Sequence, residues 1–147
     1  MYGRTPLVYA VWNGQVAVVE LLVRAGARIN LADDIGGTPL SYAVCNGHTN
    51  VLKLLFKKGT KPIPEDDALV TLLLSAADKG REDVVKLLLE TGKVNPDLED
   101  SSGNNRKPLS CAVEGSNVAV VQLLLAEGVK LDYNYKIVSE FNHLNGY

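Results

Sequence analysis

Gly36-Gly37-Thr38-Pro39-Leu40, followed by Ala43, Gly47-His48, Leu54-Leu55 and Gly59, is the stretch whose reading decides the fold. The same punctuation stands 33 residues earlier as Thr5-Pro6-Leu7, Gly14, Leu21-Leu22 and Gly26. It stands 33 residues later as Ala76, Gly80, Leu87-Leu88 and Gly92. A fourth copy lies 36 residues further on, at Ala112, Leu123-Leu124 and Gly128. The three additional residues fall between Asn95 and Lys107, where Asp100, Ser101, Ser102, Gly103, Asn104 and Asn105 read as loop. Self-similarity at a fixed period of this size is the mark of a repeat array.

Each copy reads as two short helices. In the first, Thr5 is a fitting N-cap, and Pro6 takes the first helical position, where its missing N–H costs nothing. The helix runs to about Asn13, and Gly14 supplies the turn. A second helix, from Val16 to Ala25, is apolar at Val18, Val19, Leu21 and Leu22 and ends at Gly26. The segment from Ala27 to Gly36, with Asp33-Asp34, leads to the next copy as an extended turn. Two short helices cannot bury so many aliphatic side chains alone, so neighbouring copies must stack and share a core.

The period, the Gly-x-Thr-Pro-Leu opening, the Gly-His turn and the paired leucines resemble the ankyrin repeat over residues 3 to 133. The resemblance implies an all-α solenoid of stacked helix–turn–helix units with short hairpin loops. The expected repeats are about 1–33, 34–65, 66–98 and 99–133, with a capping helix or a partial fifth repeat over about 134–147. Departures from the family pattern are plain. His is replaced after Thr-Pro-Leu by Val8, Ser41, Leu74 and Ser110. The third copy has Leu69 at the turn glycine, Thr71-Leu72-Leu73 for Thr-Pro-Leu, and a two-proline segment, Lys61 to Asp67, expected to be a distorted turn. The fourth has Lys107 at the cap and Gly115-Ser116 where Gly-His would stand. Weaker caps and altered loops are the expected consequences.

Composition bounds the function. The chain of 147 residues is 46% hydrophobic and 22% charged, with a formal net charge of −2. Mixed charge marks no phosphate-binding surface, so nucleic acid is not the expected partner. No apolar run approaches the roughly 20 residues of a membrane span. The opening Met1-Tyr2-Gly3-Arg4 is not a signal peptide. Cys45 and Cys111 lie two repeats apart, too far for a bridge. Two thiols point to the cytoplasm or nucleus.

Chemistry is sparse. There is no phosphate loop, His-Glu-x-x-His or Gly-x-Ser-x-Gly motif. Two His and two Cys lack metal-ligand spacing, so no cofactor or metal is expected. The family reading gives His48 a hydrogen bond between neighbouring loops, and His143 reads as a surface residue of the tail. Asp33-Asp34 and Glu65-Asp66-Asp67 read as turn-forming acids at hairpin tips rather than paired catalytic carboxylates. The chain is therefore not expected to be an enzyme.

The family resemblance implies that partners bind on a concave face of hairpin tips and inner-helix ends. Carried onto this sequence, the tips give Arg4, Asp34, Ile35, Asp67 and Arg106. The inner-helix ends give Trp12, Asn13, Cys45, Asn46, Asp78, Lys79 and Glu114. Trp12 stands out, because its counterparts are Cys45, Asp78 and Glu114. A lone Trp at that place fits a binding hot spot; the alternative is that it packs over the open N-terminal edge. This mixture of aromatic, aliphatic and oppositely charged side chains fits a protein or peptide partner. Two further readings stand beside it. The first repeat lacks a polar capping neighbour, which suggests self-association or a piece of a longer array. An accessory or enzymatic role would need a pocket gathering acids, His or Cys.

Overall fold

Helices of seven and nine residues are marginal alone in water and depend on packing an apolar face. Residues 2–59, 66–101 and 103–131 are described by the computed structural model, with the backbone alone for Asp66 and Asp67. Among them are eight helices and no strand. These are α1 (Pro6–Trp12), α2 (Val16–Arg24), α3 (Pro39–Cys45), α4 (Thr49–Lys57), α5 (Asp66–Asp78), α6 (Glu82–Glu90), α7 (Pro108–Glu114) and α8 (Val118–Ala126). The pairing into four helix–turn–helix units matches the sequence periods.

The chain divides into two units, Met1–Pro64 and Glu65–Tyr147. In the first, α1 and α2 form one hairpin, α3 and α4 the next, and α1 packs on α3 while α2 packs on α4. In the second, α5 packs on α7 and α6 on α8 in the same manner. Each core is built from the same register positions. Val51, Leu52 and Leu55 are fully buried in α4, as are Val84, Val85 and Leu88 in α6 and Val120, Val121 and Leu124 in α8. The inner helices add Leu7, Val8 and Val11, then Ala43 and Val44, then Leu73, Ala76 and Ala77, then Leu109, Cys111 and Ala112.

Caps follow the sequence where the motif is intact. Thr5 Oγ1 accepts from Val8 N at 3.2 Å, and Thr38 Oγ1 from Ser41 N at 3.1 Å, each with Pro at the first helical position. Ser41, which replaces the family's His, completes a reciprocal box by accepting from Thr38 N at 3.0 Å. The same device serves the fourth repeat. A lysine ammonium cannot accept a hydrogen bond, but Ser110 Oγ accepts from Lys107 N at 3.1 Å and donates to Lys107 O at 2.8 Å. The expected loss of the cap at Lys107 is thus half offset by Ser110.

Two local expectations are corrected. Helix α5 begins at Asp66 and runs for 13 residues, so Leu69 is a buried helical residue and not part of a turn. Asp67 consequently lies in the first turn of a helix, not at a hairpin tip, and its side chain is outside the description. Asp-Asp-Ala-Leu-Val-Thr-Leu-Leu-Leu contains neither Gly nor Pro, so nothing in it stops helix from propagating. In the fourth repeat the left-handed turn residue is Ser116, at φ 54°, and not Gly115. Ser116 occupies the place of Gly14 (φ 66°), Gly47 (φ 68°) and Gly80 (φ 66°). The residue in the place of His48 is therefore Asn117. Residues 61–65, the tail expected to cap the last repeat, and His143 all lie outside the described residues.

Candidate protein-binding surface

The first unit gathers its aromatic side chains around one cation. Arg4 precedes α1, and its guanidinium carbon lies 4.6 Å from the Trp12 ring centroid, 5.2 Å from that of Tyr42 and 5.6 Å from that of Tyr2. Trp12 meets Tyr42 edge-on, with centroids 5.1 Å apart and planes at 62°. Edge-on ring pairs of this kind and cations over ring faces each contribute roughly 0.5–1.5 kcal/mol. Arg4 Nε also lies 3.6 Å from Asp33 Oδ2.

Asp33 holds the loop below this cluster. Its Oδ1 accepts from Ile35 N at 3.1 Å and Gly37 N at 2.8 Å, and its Oδ2 accepts from the Tyr42 phenol at 2.5 Å. The Tyr42 hydrogen bond, with the two backbone donors and Arg4, keeps the Asp33 carboxyl below its ordinary range against the opposing pull of burial. The same hydrogen bond, joined by burial, pushes the Tyr42 phenol upward. Gly37 is required here, because a β-carbon would overlap the Tyr42 hydroxyl. The Asp33-Asp34 pair thus splits into a buried structural acid and an exposed neighbour, whose backbone N donates to Tyr2 O at 3.0 Å.

The sequence-derived residues of this unit stand before α1, at the ends of α1 and α3, and at the loop tip between the hairpins. Trp12 is 42% exposed at the end of α1, and Ile35 is 64% exposed beside Asp34 at the loop tip. Asn13 donates its amide to Tyr9 O at 3.0 Å, and Asn46 donates across the hairpins to Trp12 O at 3.2 Å. These two amides serve the backbone first. Trp12 O also accepts from His48 Nε2 at 2.9 Å; since a carbonyl can only accept, the proton sits on Nε2. The loop-to-loop role expected of His48 is thereby borne out. Cys45 is half-buried at the end of α3.

In the second unit three of the expected residues meet. Arg106 Nη2 lies 3.8 Å from Asp78 Oδ1 and 3.8 Å from Glu114 Oε2, with all three side chains about half exposed. Exposed pairs at this distance contribute about 0–1 kcal/mol and leave the charges able to exchange partners. Lys79 is exposed on the next residue. Beneath them, Cys111 is buried, and burial pushes its thiol up to about 11.

Sequence reasoning missed Tyr2, Asp33, Tyr42 and Asn117 as members of these surfaces. Asn117 Nδ2 donates to Ala77 O at 2.6 Å and Asp78 O at 2.8 Å, tying the α7–α8 turn to the end of α5 as His48 ties its own turn to the end of α1. Its signal was available in the 36-residue shift, which sets Ser116-Asn117 under Gly80-Arg81. The Asp33–Tyr42 bond had no such signal, because none of the other copies pairs an acid with a Tyr at those two positions. Among the described residues no group of three or more His, Cys, Asp or Glu could hold a metal ion. Nor is any of the described helices long and apolar enough to cross a membrane.

A family model for ankyrin repeats, three copies long, matches residues 1–66 and again residues 64–136. A comparison with curated proteins finds no match. Ankyrin repeats are general protein–protein interaction modules, and their family is typically non-enzymatic. The matches span nearly the whole chain, its helical hairpins repeat in the expected phase, and the chain belongs to the ankyrin repeat family.

Proposed function

We propose that the chain is a scaffold or adaptor module of the cytoplasm or nucleus, holding a partner protein or peptide on the concave-face positions formed by hairpin tips and inner-helix ends. The observation that carries this reading is Trp12, a large aromatic left 42% exposed yet braced by Tyr42 and Arg4. A braced ring loses little conformational freedom on binding, and central Trp anchors commonly contribute 2 kcal/mol or more. Exposed Tyr2 and Ile35 extend the apolar area, and Asp34 adds an acid at its edge. Such a patch suits a partner that inserts an apolar side chain and carries a base beside it. The Arg106–Asp78–Glu114 group offers a separate polar contact on the second unit.

The test is affinity capture from lysate with the original chain, with Ile35→Asp and Trp12→Ala, and with Arg106→Ala, each verified as folded by circular dichroism. Proteins retained by the original and lost with Ile35→Asp and Trp12→Ala are the expected result. Retention of the same proteins by every variant removes this surface from the reading.

A further inference from the structure

The small net charge conceals two halves of opposite sign. Residues 1–64 carry seven Lys and Arg against three Asp and Glu, and residues 65–147 carry eight against fourteen. In the first unit the surplus sits on the second helix of each hairpin. Arg24 ends α2, and Lys57 ends α4 at the same register. Lys53 stands one turn before Lys57, while Lys58 and Arg28 lie beyond the two helix ends. All five side chains belong to exposed residues, and none forms an ion pair with a described residue. The same positions of the second unit read differently. Arg24 and Lys57 give way to Glu90 in α6 and Ala126 in α8, and Lys58 gives way to Thr91 and Glu127. Lys53 has a counterpart in Lys86, but Lys86 pairs with Glu82 at 3.0 Å, and Thr49 stands where that acid would be. Glu90 and Ala126 are exposed like Arg24 and Lys57, so the exposure belongs to the register and not to the place of a repeat in the stack. One cation at a helix end complements the helix dipole. Lys53, Lys58 and Arg28 exceed that need.

We infer that this basic face of α2 and α4 is a second docking site, which takes a short acidic segment of a partner protein. Its carboxylates pair with Arg24, Arg28, Lys53, Lys57 and Lys58, cations that the chain itself leaves unmatched. Packed helices such as α2 and α4 lie about 8–10 Å apart. An extended chain rises about 3.3–3.6 Å per residue, so acids roughly three residues apart reach Arg24 and Lys57 together. The charge of the rest of the chain selects a short ligand over a long polyanion. A nucleic acid or an anionic bilayer presents charge far beyond five cations, and the acidic surplus of residues 65–147 repels it. A short peptide neutralises the basic face and ends there. The site stands apart from Trp12, which ends α1, and does not depend on the concave-face reading.

Fluorescence anisotropy of a labelled octapeptide alternating Glu and Asp, titrated with the full chain at low salt, tests the inference. Binding is expected, and it should weaken as salt is added. The same peptide with Gln and Asn in place of its acids is expected not to bind. Arg24→Gln combined with Lys57→Gln is expected to lose about fivefold to tenfold in affinity. Lys53→Gln combined with Lys58→Gln repeats the test should the first pair lose helical circular dichroism. Arg106→Gln removes a cation already held between two acids, and is expected to leave the affinity unchanged. Trp12→Ala is expected to leave it unchanged as well, which keeps this outcome separate from failure of the concave-face reading. Absence of binding by the original chain overturns the inference. So does binding that the paired substitutions leave intact. Tighter binding of a thymidine octanucleotide, or of vesicles of phosphatidylserine and phosphatidylcholine in equal parts, overturns it too, and assigns the face to that polyanion instead.

Discussion

The Tyr42 phenol donates to Asp33 Oδ2 at 2.5 Å, clamping α3 to the loop that leads into it. Around this bond Asp33 also gathers two backbone N–H groups, and Gly37 leaves room for the hydroxyl. Tyr42→Phe keeps the ring against Trp12 and removes the donor alone. The buried carboxylate then lacks one partner, and stability is expected to fall by about 1–3 kcal/mol. Urea unfolding measures it. A change near zero would mean that the loop is held without the clamp.

The same pair shapes stability against pH. Asp33 is depressed in the folded chain below its ordinary value of 3.8, chiefly by the Tyr42 hydrogen bond. Its contribution is therefore present above that value and lost as pH falls through the lower folded value. Tyr42 is raised above 10.0, chiefly by the same bond. Its contribution is present below 10.0 and lost as pH rises through the higher folded value. The pair is expected to favour the folded state across the range between these limits. Asp33→Asn should flatten the acid limb of a stability-versus-pH curve relative to the original, and Tyr42→Phe should flatten both. An acid limb identical in Asp33→Asn would assign acid unfolding to other carboxylates.

Ser116 takes the left-handed backbone that glycine supplies in the other three turns. An L side chain in that conformation costs roughly 1–2 kcal/mol, partly recovered because Ser is less free than Gly in the unfolded chain. Ser116→Gly is accordingly expected to stabilise the protein by about 0.5–1 kcal/mol. Asn117→Ala should act in the other direction, by about 1–2 kcal/mol, since the Ala77 and Asp78 carbonyls lose their donor. Thermal unfolding of both variants checks the signs. If Ser116→Gly destabilises, the turn is centred elsewhere.

Helix pairing was legible because it rests on recurring local signals, Thr-Pro at the start of two copies, Gly at the turn of three, and paired leucines in all four. Where a copy lost those signals, neighbours decided. The start of α5 moved to Asp66 since an unbroken run of helix-compatible residues follows the prolines, and the position of Leu69 as a repeat glycine carried no weight against that. Lys107 looked uncapped until Ser110 was placed three residues on, where its hydroxyl reaches the backbone. The surface was legible only as positions. Trp12 was singled out by being unlike its counterparts, but its bracing by Tyr42 and Arg4 is a contact between hairpins, to which period and punctuation are blind. Asn13 and Asn46 lie where expected, though both spend their amides on backbone carbonyls.

The two cysteines provide a reporter of the second unit's opening. Cys45 is half-buried at a helix end, while Cys111 is fully buried in α7 with its thiol pushed up to about 11, mainly by burial and with Glu114 and Asp78 opposing the relief from Arg106. The thiolate is the reactive form. At pH 8 a group titrating near 11 is ionised in about one molecule in a thousand, and burial denies that fraction access to reagent. Ellman's reagent is thus expected to modify one thiol per chain quickly and the second only as α7 becomes exposed. The slow phase should accelerate with sub-denaturing urea in proportion to the open population, because opening and reclosing are fast relative to modification by the reagent. Cys45→Ser should abolish the fast phase and leave the slow one. Two fast thiols in the original chain would show that α7 opens without unfolding, and Arg106, held beside it between Asp78 and Glu114, would then sit on a mobile support.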